Sequence, residues 1–207
     1  MPIKQQMLAV TMLLALTGCN AQDSGSNTPD GKFINSAIMS KAIVIFFSHA
    51  GDNYGVDDTT TGNTKIVADY ISELTGAAQF EIVTHKYDGM AYTPLTELAT
   101  QEVRDGVLPP YEGAAPDLTA YDTVFIGGPV WWGTYPQVMF TIFGDINLDG
   151  KTVVPFTTHE GSGLARCVDD VKKTFPKANV NEGFAIYGHD VRNGKAKVEK
   201  WLNRLDY

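Results

Sequence analysis

Residues 59–64 read Thr-Thr-Thr-Gly-Asn-Thr, and they lie between an apolar run at residues 42–47 and an amphipathic segment that follows. An apolar run of this length followed by apolar residues at helical spacing predicts a buried strand and then a helix. Hydroxyl and amide groups beside a glycine at a helix N-terminus are typical of a phosphate-binding loop. The stretch contains no lysine or arginine, so it suits a monophosphate better than a nucleotide triphosphate. A simple turn and helix cap has the same composition and remains the alternative.

Strands and helices alternate along the rest of the chain. Such alternation predicts an α/β fold, in which a parallel sheet is covered by helices on both faces and a ligand lies beyond the carboxyl ends of the strands. Gly76 is placed to end the first helix. The predicted strands are residues 42–47, 80–84, 123–127, 152–156 and 183–187, and the helices carry apolar stripes at residues 66–74, 95–103, 164–175 and 198–205.

A loop with two adjacent tryptophans follows the third predicted strand. Residues 127–136 read Gly-Gly-Pro-Val-Trp-Trp-Gly-Thr-Tyr-Pro. The ring of Trp131 or Trp132 can stack on a planar ligand, and the glycines let backbone groups reach the polar edge of that ligand. Either ring can instead cap the sheet, and adjacent side chains tend to point apart.

Another glycine-rich loop, Thr-Thr-His-Glu-Gly-Ser-Gly at residues 157–163, follows the fourth predicted strand. Its backbone N–H groups can serve the same planar ligand. His159 and Glu160 suggest acid and base roles, but we favour a hydrogen-bonding scaffold for His159 and a helix N-terminal carboxylate for Glu160. No residue is predicted to be catalytic.

Other motifs and the composition exclude several classes of protein. Ser162 is not the nucleophile of a G-x-S-x-G elbow, since the outer positions are Glu160 and Leu164. Residues 144–152 resemble a G-x-x-x-x-G-K-T loop, but they have one residue too many and precede a strand. The formal net charge of −8 argues against a nucleic-acid partner.

The N-terminus predicts a lipid-anchored envelope protein. Lys4 precedes an apolar stretch at residues 7–16, which is too short to span a membrane. The sequence Leu-Thr-Gly-Cys at residues 16–19 resembles the lipobox of bacterial lipoproteins, in which the cysteine becomes the acylated first residue. We therefore expect a signal peptide at residues 1–18, a flexible tether at 19–40 that begins with lipidated Cys19, and a domain at 41–207. The domain would face the periplasm or the exterior.

A lipidated Cys19 leaves Cys167 without a partner for a disulfide bond. Cys167 lies among Leu164, Val168 and Val171 at helical spacing. We therefore predict that it is a small core residue and not a nucleophile.

Together the loops resemble those of the flavodoxin family, whose relevant branch carries an F-S…G-N-T start, a P-x-W-W-G loop and a T-H-E-G-S-G loop. The resemblance covers essentially the whole domain. It implies a flavodoxin-like, doubly wound, five-stranded parallel sheet of order 2-1-3-4-5, with non-covalent FMN at the strand ends. The FMN-binding residues that it implies are Ser48, Thr61, Gly62, Asn63, Thr64, Pro129, Val130, Trp131, Trp132, Gly133, Thr158, His159, Glu160, Gly161, Ser162 and Gly163.

The chain departs from compact flavodoxins by extra residues between Ser48 and Gly62. This departure leaves open whether Ser48 or Thr59 supplies the first hydroxyl to the phosphate. The inserted segment contains Asp52, Asp57 and Asp58, which would repel a phosphate that they faced. We expect these carboxylates to point to solvent or to a partner.

The resemblance and the N-terminus together predict an FMN-dependent electron carrier or oxidoreductase at the bacterial envelope. Flavin chemistry belongs to the cofactor, while the protein sets binding, orientation and potential. The expected partners are FMN and a redox protein or a quinone, and the membrane is contacted through the lipid anchor only. The alternative is a non-catalytic lipoprotein that binds a flavin or another planar ligand.

Overall fold

The computed structural model describes residues 41–207, except for the side chains of residues 56–58. The predicted signal peptide, the tether and Cys19 lie outside the described residues.

The chain alternates strands and helices as the sequence predicts. Five α-helices are described: α1 Asn63–Thr75, α2 Tyr92–Asp105, α3 Gln137–Asp145, α4 Cys167–Thr174 and α5 Lys195–Asn203, with short 3-10 helices at His85–Tyr87 and Gly188–Asn193. The strands are β1 Ala42–Phe46, β2 Gly51–Asn53, β3 Val56–Thr59, β4 Ala78–Glu81, β5 Thr123–Pro129, β6 Thr152–His159, β7 Asn179–Val180 and β8 Phe184–Tyr187.

The main sheet is parallel, and its first four strands have the order β4-β1-β5-β6. The outer edge of β6 pairs with two short strands, β7 and β8. β7 pairs with the start of β6, and β8 pairs with its end. This arrangement confirms the predicted order 2-1-3-4-5, with the fifth position shared by two short strands. An added Cβ at Gly183, just before β8, would lie 2.6 Å from Leu164 Cδ2 in the turn before α4 and 3.0 Å from Val168 Cγ2 of α4, so the chain packs closely against this helix start.

Both faces of the sheet are buried. Ile43 and Ile45 of β1 belong to the core cluster that includes residues of α3 and α4, whereas Val44 and Phe46 belong to the cluster with α1 and α5. Alternate strand residues point to opposite faces, so a continuous apolar run is what a doubly covered strand requires. α1 ends at Gly76 as predicted, with a φ of 73° and its N–H on Ser72 O at 2.8 Å.

Four elements differ from the sequence prediction. The strand expected at residues 80–84 is β4, which spans Ala78–Glu81. α3 was not predicted, although Gln137, Thr141 and Asp145 lie at helical spacing opposite the buried Val138, Met139, Ile142 and Phe143. The helix is only nine residues long, so this period extends over little more than two turns. β2 and β3 were not predicted either, and they pair as an antiparallel hairpin within the inserted segment.

Within residues 41–207, no helix is both long enough and apolar enough to cross a membrane.

Candidate functional site

A cavity of about 400 Å³ lies where the loops after β1, β5 and β6 meet. It is at the carboxyl ends of the strands, where open α/β sheets bind their ligands. The lining residues come from the predicted loops, from the inserted hairpin, from α2 and from the turn after β8. They are His49, Asn53, Tyr54, Asn63, Thr64, Tyr92, Leu95, Thr96, Ala99, Pro129, Val130, Trp131, Trp132, Gly133, Thr158, His159, Glu160, Ser162 and Gly188.

The N-terminus of α1 forms one wall of the cavity. The residue before the helix is Gly62, which provides no side-chain cap. Ser48 Oγ accepts the Lys65 N–H at 3.0 Å, and Gly62 O accepts the N–H of residue 66 at 3.4 Å. The Asn63 and Thr64 N–H groups donate to no acceptor in the described part of the chain. These donors at the positive end of the helix dipole are suited to an anion.

Gly62 is required by a close approach within the protein. A Cβ at this position would lie 2.2 Å from Ser48 Oγ and 2.6 Å from His49 O. Its φ of −64° is open to any residue, so the constraint is space and not backbone conformation. Gly62 therefore shapes the loop by packing against the end of β1, and it does not line the cavity.

Thr64 and Thr158 join the first and third loops. Their hydroxyl oxygens are 2.8 Å apart, and the two side chains are 1% and 4% exposed. Of the two hydroxyl hydrogens, one forms this bond and the other remains to donate to a further acceptor. Because both residues line the cavity, an anionic ligand there can supply that acceptor.

The two adjacent tryptophans lie in a tight turn after β5. Trp131 N donates to Thr134 O at 2.9 Å, and Thr134 N donates to Trp131 O at 3.2 Å. The central residues have positive φ, 53° at Trp132 and 78° at Gly133. Positive φ at both positions is the signature of a type I′ turn, which favours glycine, asparagine and aspartate. A tryptophan there is strained, and strain of this kind collects at functional positions.

The two indole rings have different surroundings. Trp131 packs edge-on against Phe47 and Tyr87, with ring centroids 5.6 and 5.1 Å apart. Trp132 is 56% exposed, and its Nε1 donates to Thr96 O of α2 at 3.1 Å. Both rings line the cavity, but Trp131 is half-buried and packs against the core, whereas Trp132 is exposed.

The third loop is held by hydrogen bonds on both sides of Glu160. His159 Nδ1 accepts the Gly161 N–H at 2.9 Å, which is the scaffold role that we favoured for this histidine. Glu160 accepts the His189 N–H at 2.9 Å through Oε1, and its Oε2 pairs with His189 Nδ1 at 2.6 Å. The carboxylate thus ties the loop to the turn after β8. It does not lie at a helix N-terminus as expected, because α4 begins seven residues later, at Cys167.

Two histidines of the cavity are biased to the neutral form. Burial lowers the pKa of His49, although the carboxylates of Asp88 and Asp52 act in the opposite direction. Burial also lowers the pKa of His159, with Glu160 opposing it. His49 Nε2 is buried and has no partner among the described residues. The described lining contains no lysine or arginine, so its donors are neutral.

Several residues of the predicted set do not line the cavity. Thr61 is exposed and lies outside the cavity lining. Gly161 and Gly163 are also absent from the lining, and their φ values of 127° and 59° are ones that glycine adopts without strain. Ser48 lines a separate cavity of about 380 Å³ beside β4. Thr59 Oγ1 is buried without a partner in the described part of the chain. Both Ser48 and Thr59 therefore stay candidates for the first hydroxyl donor to the phosphate.

The sequence did not reveal the contribution of the inserted hairpin and of α2. His49, Asn53, Tyr54 and Tyr92 line the cavity although none was predicted there. Asp52 Oδ2 accepts the Tyr92 N–H at 2.8 Å, which fastens the hairpin to the start of α2. Asp52 is exposed, as expected. The aspartates of the insertion were the one feature of the sequence that marked this segment. They could not reveal the contact with α2, because Asp52 and Tyr92 are 40 residues apart.

The buried cysteine has no chemical role at this site. Cys167 is fully buried at the start of α4, which confirms the predicted core position. Burial, reinforced by Asp170, raises its pKa to about 12. The thiol therefore stays protonated and unreactive at neutral pH.

The chain belongs to the flavodoxin family, whose profile matches residues 41–205. It is similar to a protein of Bacteroides eggerthii that is provisionally named a flavoprotein, with 27% identity, a TM-score of 0.63 and coverage of 81% of this chain and 99% of that chain. A Bacteroides uniformis protein with the same provisional name has 24% identity, a TM-score of 0.66 and coverage of 79% and 98%. A Lactobacillus acidophilus flavoprotein in complex with FMN has 19% identity, a TM-score of 0.55 and coverage of 76% and 99%. No curated protein matches the chain.

Proposed function

We propose that this protein is an FMN-dependent electron carrier or oxidoreductase that is anchored to the bacterial envelope by a lipid on Cys19. Its cofactor is FMN, since the chain belongs to the flavodoxin family and a solved protein of the same fold was crystallised with FMN. The observation that carries the proposal is the convergence of the three predicted loops on one cavity, with unpaired donors at one end and aromatic rings at the other.

The donor set fits a phosphate monoester. The Asn63 and Thr64 N–H groups have no acceptor among the groups that the structure describes, and one hydrogen of the Thr64–Thr158 pair is left to donate. All of these donors are neutral, and a monophosphate can be bound by neutral N–H and O–H groups at a helix N-terminus. These residues would hold the phosphate of FMN.

The aromatic end of the cavity fits a flavin ring. Trp131, Trp132 and the 157–163 loop residues Thr158, His159, Glu160 and Ser162 all line the cavity. When bound, FMN supplies the one- and two-electron chemistry. Glu160 and the absence of a lining lysine or arginine in the described cavity disfavour added negative charge. We therefore expect the protein to lower the reduction potential of FMN below that of the free cofactor.

The location favours a membrane or periplasmic electron donor. A domain outside the cytoplasm meets little nicotinamide cofactor, so exchange with an envelope redox protein or a quinone is the better proposal. The protein would contact the membrane through its lipid anchor only. The alternative function is a lipoprotein that binds flavin without turnover.

The visible spectrum of the purified full chain tests the proposal. We expect a yellow protein that releases FMN on denaturation, that dithionite reduces and that an added acceptor reoxidises over repeated cycles. A chain that binds FMN but cannot be cycled favours the non-catalytic alternative. A colourless chain that FMN does not reconstitute would refute both the redox function and the non-catalytic binding of flavin.

A further inference from the structure

Two tyrosine rings form an exposed pair at the mouth of the cavity. Tyr54, at the tip of the hairpin, is 63% exposed, and Tyr92, at the start of α2, is 37% exposed. Their ring centroids are 5.7 Å apart with an interplanar angle of 36°. Both residues line the cavity. Adjacent exposed aromatic rings beside a cavity mark a binding surface more often than isolated exposed residues do.

The pair is held in place by hydrogen bonds from both elements. Asp52 Oδ2 accepts the Tyr92 N–H at 2.8 Å, and Asn53 Nδ2 donates to Gly51 O at 3.0 Å. The hairpin is short, with three residues in β2 and four in β3, and such a hairpin is marginally stable alone. Its attachment to α2 therefore fixes where the ring of Tyr54 lies relative to Tyr92.

The surrounding charge selects against an anionic ligand at the mouth. Asp52 lies beside the pair, Glu160 lines the cavity, and none of the described lining residues is a lysine or arginine. A dinucleotide would bring its pyrophosphate next to these carboxylates without a cation to pair with it. A neutral ring meets no such repulsion, and each phenol hydroxyl can donate to a carbonyl oxygen of the ligand.

We propose that the Tyr54–Tyr92 pair binds a neutral planar aromatic carbonyl compound, a quinone, at the mouth of the cavity. This inference rests on the proposed function for its biological sense, because it names the small molecule with which the flavin site would exchange electrons. The binding itself depends only on the two tyrosines and on the charge around them.

Equilibrium binding of 1,4-naphthoquinone to the full chain purified with FMN tests the proposal. Titration calorimetry and saturation-transfer NMR report binding without turnover. We expect Tyr54→Leu and Tyr92→Leu each to weaken binding about five- to tenfold, because leucine removes the aromatic face. Tyr54→Phe and Tyr92→Phe keep that face and should retain most of the affinity. Tyr121→Leu is the control, since Tyr121 lies just before β5 at the opposite end of the strands and does not line the cavity.

Three results would overturn the inference. They are unchanged affinity in both leucine variants, an equal loss in Tyr121→Leu, and NADH binding as tightly as the quinone. Thermal unfolding of each variant shows whether the hairpin has been disrupted. If it has, nuclear Overhauser contacts between the quinone and the ring protons of Tyr54 and Tyr92 in the unaltered chain take the place of the affinity comparison. The FMN content of every sample is read separately from its visible spectrum. Tyrosine-dependent quinone binding by a chain that never holds FMN would uphold this inference and refute the proposed function.

Discussion

The hydroxyl pair of Thr64 and Thr158 is the most specific element of the proposed phosphate site, because it joins two loops that are distant in sequence. We predict that Thr64→Ala weakens FMN binding by about 1 to 3 kcal/mol, the usual cost of losing a hydrogen bond to a charged group. Titration of the apo-protein with FMN and with riboflavin measures the effect. Riboflavin lacks the phosphate, so its affinity should change much less.

A double-mutant cycle separates the phosphate contact from the bond between the two threonines. Thr158→Val removes the hydroxyl of the partner and keeps a branched side chain. If the two hydroxyls act as one unit toward the phosphate, the double variant should lose little more affinity than Thr64→Ala alone. An equal loss of FMN and riboflavin affinity in Thr64→Ala would show that Thr64 supports the fold and not the phosphate.

The two tryptophans should respond differently to the same substitution. Trp132 is exposed and has a φ of 53°, whereas Trp131 packs among Phe47 and Tyr87. We predict that Trp132→Leu restores the fluorescence of bound FMN and shifts its reduction potential, since the stacked ring that quenches it is gone. Trp131→Leu should instead lower the free energy of unfolding by a few kcal/mol, as truncation of large packed side chains does.

Fluorescence, redox titration and chemical denaturation of both variants check this assignment. The reverse pattern would make Trp131 the stacking ring. Wild-type affinity, quenching and potential in both variants would show that neither ring stacks on the flavin.

The sequence could place Thr64, Trp131 and Trp132 near a ligand because each follows a predicted strand, and parallel strands end at one edge. It could not assign separate roles to the two tryptophans. That difference depends on the turn conformation at Trp132 and on the contact of its Nε1 with α2, neither of which leaves a periodic signal. Gly62 was predicted as a loop glycine, but the reason for it, the nearby Ser48 Oγ, is a tertiary contact.

Among the elements, the inserted hairpin is the feature that distinguishes this site. In the described structure one side-chain hydrogen bond joins it to α2: Asp52 Oδ2 accepts the Tyr92 N–H. This bond satisfies a donor at the helix start. We predict that Asp52→Ala lowers the free energy of unfolding by about 1 kcal/mol, the usual cost of losing a helix cap. The Tyr92 amide should also exchange its hydrogen faster, because the hairpin is released.

Asp52→Asn is the matched control, since asparagine can accept the same N–H and caps helices about as well as aspartate does. Chemical denaturation and amide hydrogen exchange are the measurements. Equal losses for alanine and asparagine would indicate that the charge of Asp52 matters more than its hydrogen bond.

The strands of the main sheet could be predicted because its central strands are apolar on both faces. Most of the covering helices could be predicted because their apolar residues recur with a 3.6-residue period. The hairpin was not, because residues 51–59 are polar and rich in aspartate and glycine, and a sequence of this kind is typical of a loop. The contacts of this hairpin are tertiary: Asp52 bonds to the start of α2, and Gly55 at the tip lies close to Glu160. α3 has the helical period, but over only nine residues.

For the protein as a whole, the proposed attachment to the membrane depends on Cys19. The formal net charge of −8 gives no electrostatic attraction to anionic lipid, and no helix in residues 41–207 can cross a membrane. The acyl chains would therefore supply nearly all of the binding energy, at about 0.8 kcal/mol for each buried methylene group. We predict that Cys19→Ser releases the protein from membranes or leaves its signal peptide uncleaved.

The chain has two cysteines, and the other one provides a matched control. Cys167 is fully buried in the core, so Cys167→Ala should leave both processing and attachment intact. Membrane fractionation after a carbonate wash measures attachment, and mass spectrometry of the mature chain detects both cleavage before residue 19 and the added lipid. Normal processing and attachment of Cys19→Ser would refute the anchor. Because the cavity proposed to bind FMN is lined by residues within 41–207, released protein should bind FMN with unchanged affinity, which separates the test of location from the test of the cofactor.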